Sequence, residues 1–225
     1  MIHVIGDSHA YFTFSDIPGV GFHPLGPVTM KRIGSGRKRK HFSPEDGLVL
    51  GGDEIEHVED TLLLDTVQAI NPQPGDVLVL SCGEGDVRCF IKPQLAAKQL
   101  SPEELLKPMA ERYVERVAAL ETNGARVAIL SIPPPAPYER CWNMVFPPSQ
   151  LNLPPAGTDG ERATYTRMLN YYVACYCHER GLLFIDIHSK YANADWMLMA
   201  ELSDGGVHIK DTALVREVLH MMGLL

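Results

Sequence analysis

Short apolar runs recur along the chain, and four of them are typical of strands buried on both faces. Each run is rich in aliphatic residues, and each stops at small, polar or proline residues. The predicted strands are residues 2–5, 76–83, 126–135 and 181–188. The segments between them carry apolar residues near helical spacing, and the predicted helices are 56–70, 101–124, 159–181 and about 211–222.

The helix predicted over 101–124 has the clearest local signals. Ser101, Pro102 and Glu104 have the arrangement of a capping box, and Pro108 predicts a kink or a break. Strands that alternate with helices of this length indicate βαβ units. We therefore predict an α/β fold in which residues 1–225 form one domain around a parallel sheet.

Two long stretches depart from this alternation, and both are predicted to be loops. Residues 13–55 and 133–158 are rich in proline, and the first also in glycine and charge. Loops of this length within a compact domain are usually functional or mobile. In the second stretch, Tyr138, Trp142 and Phe146 would either line or cover a pocket, or pack within a proline-stiffened surface loop.

The charge of the chain narrows the classes of ligand. Its formal net charge of -8 argues against general binding of nucleic acids, because phosphate contacts require a basic surface. Six of the twenty basic residues lie in the run 31–40, which we interpret as a solvated loop, with contact to an anionic substrate or partner as the alternative. We expect a small-molecule or carbohydrate ligand.

Cysteine usage and hydropathy bear on the compartment. No apolar run approaches the roughly 18 to 20 residues of a membrane helix, and the N-terminus lacks a secretory signal pattern. Five cysteines form no even disulfide framework, so we expect a reducing, cytoplasmic setting without a membrane partner. Cys175, Cys177 and His178 match no common zinc spacing, and we predict neither a metal nor a cofactor.

Polar residues at the end of the first strand indicate chemistry. A serine requires a base within hydrogen-bond reach, usually oriented by an acid. Ser8 follows the first strand, but the adjacent His9 is predicted to point away from it. The segment LSDGGVHIKD offers His208 as the base and Asp204 as the orienting acid, since its two glycines permit a tight turn.

A third polar cluster, LSCGEGDVR at 80–88, also follows a predicted strand. There Gly83 could offer a backbone N–H to a developing oxyanion. All three clusters would fall on one edge of a parallel sheet, where α/β proteins bind ligands. The alternatives are structural: Ser8 would only cap a following helix, and His208 would be a surface loop histidine.

The segments IGDSHA, CGEGD and DGGVH, in that order, resemble the sequence blocks of the SGNH or GDSL hydrolase superfamily. The resemblance implies a flavodoxin-like three-layer α/β/α sandwich that hydrolyses or transfers acyl esters without a metal. It implies Ser8 as nucleophile and backbone oxyanion donor, His208 as general base and Asp204 as its acid. A second-block glycine, for which Gly26 is the best candidate ahead of Gly51 and Gly52, and Gly83 would complete the oxyanion hole.

Two departures from the family pattern stand out. The third block normally reads Gly-X-Asn-Asp, but here Gly85 replaces the asparagine, whose amide would donate to the oxyanion. In the GEGDVR form, Glu84 and Asp86 could take other tasks, and Arg88 would replace the donor, bind an anion, or pair with Glu84 or Asp86. The acid and the base are also four residues apart, where three is usual.

These observations predict a serine-dependent acyl-ester hydrolase, such as a deacetylase of a glycan or a small ester. Acyl transfer to a sugar hydroxyl in the same site is the nearest alternative, because only the acceptor differs. A non-catalytic protein that binds a glycan or small ligand is the second alternative, favoured by the absent asparagine. A nucleotide binder is disfavoured, since no Gly-X-Gly-X-X-Gly follows a strand. The sequence leaves the oligomeric state open.

Overall fold

The computed structural model describes residues 1–25, 30, 58–142 and 155–225. The strands in this part of the chain are β1 Ile2–Gly6, β2 Val20–Pro24, β3 Val77–Ser81, β4 Arg126–Leu130 and β5 Leu183–Ile185. The helices are α1 Ser8–Phe14, α2 Val58–Ile70, α3 Ile91–Lys98, α4 Pro102–Ala118, α5 Tyr138–Trp142, α6 Asp159–Arg180, α7 His188–Tyr191 and α8 Ala213–Met221. A π-helical turn, Asp86–Phe90, precedes α3, and a 3₁₀ turn, Ala200–Leu202, precedes the last loop.

The strands form one parallel sheet in the order β2-β1-β3-β4-β5. This is the flavodoxin-like order of doubly wound folds. Successive residues of each strand enter different cores, because strand side chains alternate between the two faces. In β3, Leu78 and Leu80 belong to one apolar core, and Val77 and Val79 belong to the other.

Helices cover both faces of the sheet. Leu63 of α2, Leu106 of α4 and Leu169 of α6 pack into the first core. Phe14 of α1 and Leu219 of α8 pack into the second. The predicted three-layer α/β/α sandwich is thereby confirmed, and the carboxyl ends of its strands meet along one edge.

The bounds of several predicted elements were wrong. The strand predicted over 126–135 ends at Leu130, and the helix predicted to run to residue 124 ends at Ala118. Pro108 lies inside α4 without breaking it. A proline removes a single backbone hydrogen bond, and the buried Leu105, Leu106 and Met109 on either side hold the helix against the core.

The loop predicted over 13–55 was also wrong in part, because it contains the end of α1 and the edge strand β2. Half-buried β2 carries little of the continuous apolar pattern, and its pairing with β1 defines it. Gly26, the basic run from 31 to 40, Gly51 and Gly52 lie outside the described residues, as does Phe146.

In the described part of the chain, no helix has both the length and the apolar character required to span a bilayer. All five cysteines lie in the described part of the chain, where none of them forms a disulfide, and Cys175 is the only one of the five that is not buried.

Candidate active site

Strand β1 delivers Ser8 to the carboxyl edge of the sheet. The side chain of Asp7 caps α1 by accepting a hydrogen bond of 2.9 Å from the backbone N–H of His9. Asp7, and not Ser8, is therefore the N-cap, and Ser8 is the exposed first residue of the helix. A Cβ atom on Gly6 would lie 2.4 Å from the carbonyl oxygen of Ser81, so only glycine lets α1 begin this close to β3.

The loop between the 3₁₀ turn and α8 presents Asp204 and His208. An antiparallel bridge between Ser203 and Ile209 closes it. Oδ1 of Asp204 accepts hydrogen bonds from the backbone N–H groups of Gly206, at 2.8 Å, and His208, at 3.3 Å. This closed turn fixes the carboxylate, which explains how the four-residue spacing still brings acid and base together.

Ser8, His208 and Asp204 meet in a line of contacts. Nε2 of His208 lies 3.2 Å from Oγ of Ser8, although the two residues are 200 positions apart. Nδ1 of His208 lies 2.9 Å from Oδ2 of Asp204. A serine, histidine and acid at these distances can pass the serine proton to the imidazole while the acid orients the ring.

Burial and the neighbouring His9 favour a neutral His208. Burial, followed by the neighbouring His9, lowers the pKa of His208 against the opposing effect of Asp204. Burial acts to raise the pKa of Asp204, but the hydrogen bonds from His208 and Gly206 bring it below its ordinary value. A neutral imidazole and an ionised carboxylate are the states in which His208 can accept a proton.

Two further rings hold His208. Phe12 stacks on it with 4.3 Å between ring centroids, and the ring of His9 lies 4.6 Å away on a tilt. Sequence reasoning missed Phe12, although a helix that starts at Ser8 puts Phe12 one turn further on the same face.

The segment that follows β4 supports the loop of Asp204 and His208. Arg140 donates a hydrogen bond of 2.6 Å to Oγ of Ser203 and a second one to the carbonyl of Leu198. Val207 packs on Ala136 and Cys141. The fully buried Arg162 of α6 donates to the carbonyl of Ala136 and fixes this segment from below. No local sequence signal predicted the role of Arg140, because its partners lie about 60 residues away.

The third sequence block follows β3 at the same edge of the sheet. Gly83 has a φ of +115°, a conformation that glycine adopts freely. Nε of Arg88 donates to both carboxylate oxygens of Glu84, at 2.8 and 3.1 Å, so Arg88 forms the predicted ion pair with Glu84. Oδ2 of Asp86 accepts a hydrogen bond of 2.7 Å from the backbone of Met30. A Cβ atom on Gly85 would meet no other part of the described chain within 4 Å.

The loop predicted over 133–158 was wrong in part, because it contains α5, Tyr138–Trp142. Tyr138 is 43% exposed, and the side chain of Trp142 lies outside the described residues. Pro137 is one of the residues that line a cavity of about 650 Å³, but Ser8, Asp204 and His208 do not line it.

No protein-family model matches the chain, and no curated protein sequence does. Solved structures do. An inhibitor-bound aryl esterase from Mycobacterium smegmatis is 15% identical, with a TM-score of 0.56 over 100% of this chain and 99% of that one. A carbohydrate acetylesterase from Sinorhizobium meliloti is 12% identical, with a TM-score of 0.55 over 100% and 99% of the two chains.

A GDSL-like lipase from Bacteroides thetaiotaomicron is 13% identical, with a TM-score of 0.53 over 98% of this chain and 83% of that one. At identities this low, the structural similarity shows a shared fold alone. The chain therefore has the three-layer α/β/α fold of this GDSL-like lipase and the two esterases, which is the fold that the three sequence blocks implied.

Proposed function

We propose that this protein is a serine-dependent acyl-ester hydrolase of the SGNH type. The observation that carries the proposal is the contact of Nε2 of His208 with Oγ of Ser8, at 3.2 Å, continued by the contact of its Nδ1 with Asp204, at 2.9 Å. The fold shared with an aryl esterase and a carbohydrate acetylesterase supports it.

In the proposed reaction, Oγ of Ser8 attacks the ester carbonyl and His208 accepts its proton. The tetrahedral intermediate collapses when His208 gives this proton to the departing alkoxide, which leaves an acyl-serine. Water then attacks the acyl-serine while His208 accepts its proton, and His208 returns this proton to Oγ of Ser8 as the acid leaves. Asp204 keeps the ring of His208 oriented throughout.

The backbone N–H groups of Ser8 and Gly83 are the proposed donors to the oxyanion, with Gly26 as a third donor outside the described residues. Each such donor typically contributes about 100- to 1,000-fold in rate. Because Gly85 supplies no amide side chain, we expect a modest turnover.

The proposed substrate is a carbohydrate acetate or another small ester. The exposed position of Ser8 admits an acyl group that is attached to a bulky alcohol. Transfer of the acyl group to a sugar hydroxyl would use the same site and the same acyl-serine. A glycan-binding protein without catalysis is the second candidate, and the glycine at position 85 is the observation that favours it.

The test is hydrolysis of p-nitrophenyl acetate, together with labelling by a fluorophosphonate mapped by mass spectrometry. We expect the label on Ser8 and a loss of kcat/KM of about 10,000-fold in Ser8→Ala and in His208→Ala. The matched control is Ser15→Ala, since Ser15 is an exposed serine at the other end of α1.

An unlabelled Ser8, with equal activity in all three variants and the native chain, would overturn the hydrolase. A glycan-binding screen would then test the second candidate.

A further inference from the structure

A second histidine lies behind His208, within a buried group of charges that the proposed reaction does not use. His9 and Glu84 are only 5% and 6% exposed. Nε2 of His9 lies 3.5 Å from Oε2 of Glu84, and the other oxygen of this carboxylate accepts from Arg88 at 2.8 Å. The ring of His9 lies 4.6 Å from the ring of His208.

The charges of this group balance only when His9 is protonated. Its Nδ1 lies 3.7 Å from Oδ1 of Asp7, so two carboxylates face the ring, and Arg88 supplies one positive charge. A neutral His9 would leave one uncompensated negative charge among largely buried groups, which is unfavourable. Nε2 of His9 has no hydrogen-bond partner among the described residues, and the carboxylate of Glu84, at 3.5 Å, is the charged group that it faces.

We propose that His9 is a positioning residue that carries a positive charge, balanced by Glu84 and Asp7, and thereby keeps His208 in its neutral, proton-accepting form. Its effect on catalysis rests on the proposed function, but the charge of His9 does not. The first sequence block supplies His9, and the third supplies Glu84 with Arg88, so the two blocks act together on His208.

The groups that face each histidine agree with this assignment. Asp204 from its own loop and Glu84 from the third block favour a charged His208, whereas burial and His9 lower its pKa. Burial also disfavours a charge on His9, but Glu84 and Asp7 outweigh both burial and Arg88 and raise its pKa. The pKa values of the two neighbouring rings are therefore driven apart, a pattern typical of paired groups in active sites.

The test is an NMR titration of ¹⁵N-histidine-labelled protein. In the native chain we expect His9 to be charged at neutral pH and His208 to be neutral. In His9→Gln we expect the midpoint of His208 to rise by about one pH unit, because a nearby positive charge has been removed.

The matched control is His188→Gln. His188 is as buried as His9 and also has an unpartnered Nε2 among the described residues, but it stacks on Trp196 away from the site. Its replacement should leave the midpoint of His208 unchanged. In Glu84→Gln, which retains His9, the midpoint of His9 itself should fall below neutrality.

A neutral His9 at pH 7 in the native chain overturns the proposal, and so does an unmoved His208 in a folded His9→Gln. Ester hydrolysis separates this proposal from the proposed function. If activity is present, the acid limb of kcat/KM against pH should move up by about the same unit in His9→Gln. If no ester is hydrolysed but the NMR shifts occur, the hydrolase fails and the charged pair stands.

Discussion

Each edge of the central sheet holds a histidine between two partners, yet only one of these arrangements can perform chemistry. At the carboxyl edge, His208 connects Ser8 with Asp204. At the amino edge, His3 lies 3.3 Å from His23 and 3.7 Å from Asp76. The first line ends in an exposed hydroxyl, and the second ends in another imidazole.

The two acids, Asp76 and Asp204, also differ in the groups that they bind. The carboxylate of Asp76 already accepts from the N-terminal ammonium at 2.7 Å and from the backbone of Gln73 at 2.8 Å. The Oδ2 atom of Asp204 is directed to His208. A histidine close to an acid is therefore not a site by itself, because the acid must serve the histidine and the histidine must face a nucleophile.

The same substitution at both edges, Asp204→Asn and Asp76→Asn, is the most direct test of this difference. Asp204→Asn should lower kcat/KM by about 1,000-fold or more, since an amide stabilises the wrong tautomer of His208. Asp76→Asn, its matched control, should retain the activity of the native chain. Equal losses in ester hydrolysis would show that the carboxyl edge has no special role.

The second largest effect is expected from Arg140, which supports the loop of Asp204 and His208. Arg140→Met removes the hydrogen bonds to Ser203 and Leu198 and leaves the loop less fixed, so we expect kcat to fall by about 10- to 100-fold with a smaller change in KM. Arg180→Met is the control, because Arg180 pairs with Glu115 on the surface. Comparable kcat values for the two variants would contradict the role of Arg140.

A smaller effect is expected in the opposite direction. Gly85→Asn places an amide where the GDSL-type pattern has one, and a Cβ at position 85 would meet no atom of the described chain within 4 Å. We expect kcat for p-nitrophenyl acetate to rise about tenfold, below the full contribution of an evolved oxyanion donor. Gly85→Ala controls for the change of backbone freedom. A loss of activity in Gly85→Asn alone would place position 85 away from the oxyanion.

The smallest effect concerns stability at the amino edge. The hydrogen bond from the N-terminus, followed by the one from Gln73, lowers the pKa of Asp76. A lowered pKa stabilises the folded state above the ordinary pKa of the group, and this contribution is lost as the pH falls through the folded value.

Urea unfolding should therefore find Asp76→Asn slightly less stable than the native chain at about pH 7, with the difference lost at about pH 2. Asp16→Asn, at an exposed position, should show no such trend. A difference that persists in acid would assign the effect to packing and not to charge.

Local patterns in the sequence predicted the main strands and the helix ends of this protein. The apolar runs of β1 and β3 are largely buried and end in small or polar residues, so the local pattern predicts that these strands exist. The alternation of strands with helices predicts that they pair in parallel. The capping box of α4 and the C-terminal glycine after α6 likewise mark helix ends through short-range hydrogen bonds. The order of the three blocks nominated Ser8, Asp204 and His208.

The remaining features depend on tertiary contacts, because contacts between distant residues leave no periodic pattern in a single sequence. The tertiary structure brought His208 to Ser8 across 200 positions and paired β2 with β1 at the edge of the sheet. It also placed Arg140 beneath the loop and set His9 against Glu84. The sequence pattern predicted which residues could do chemistry, but the packing of distant elements determined which of them meet.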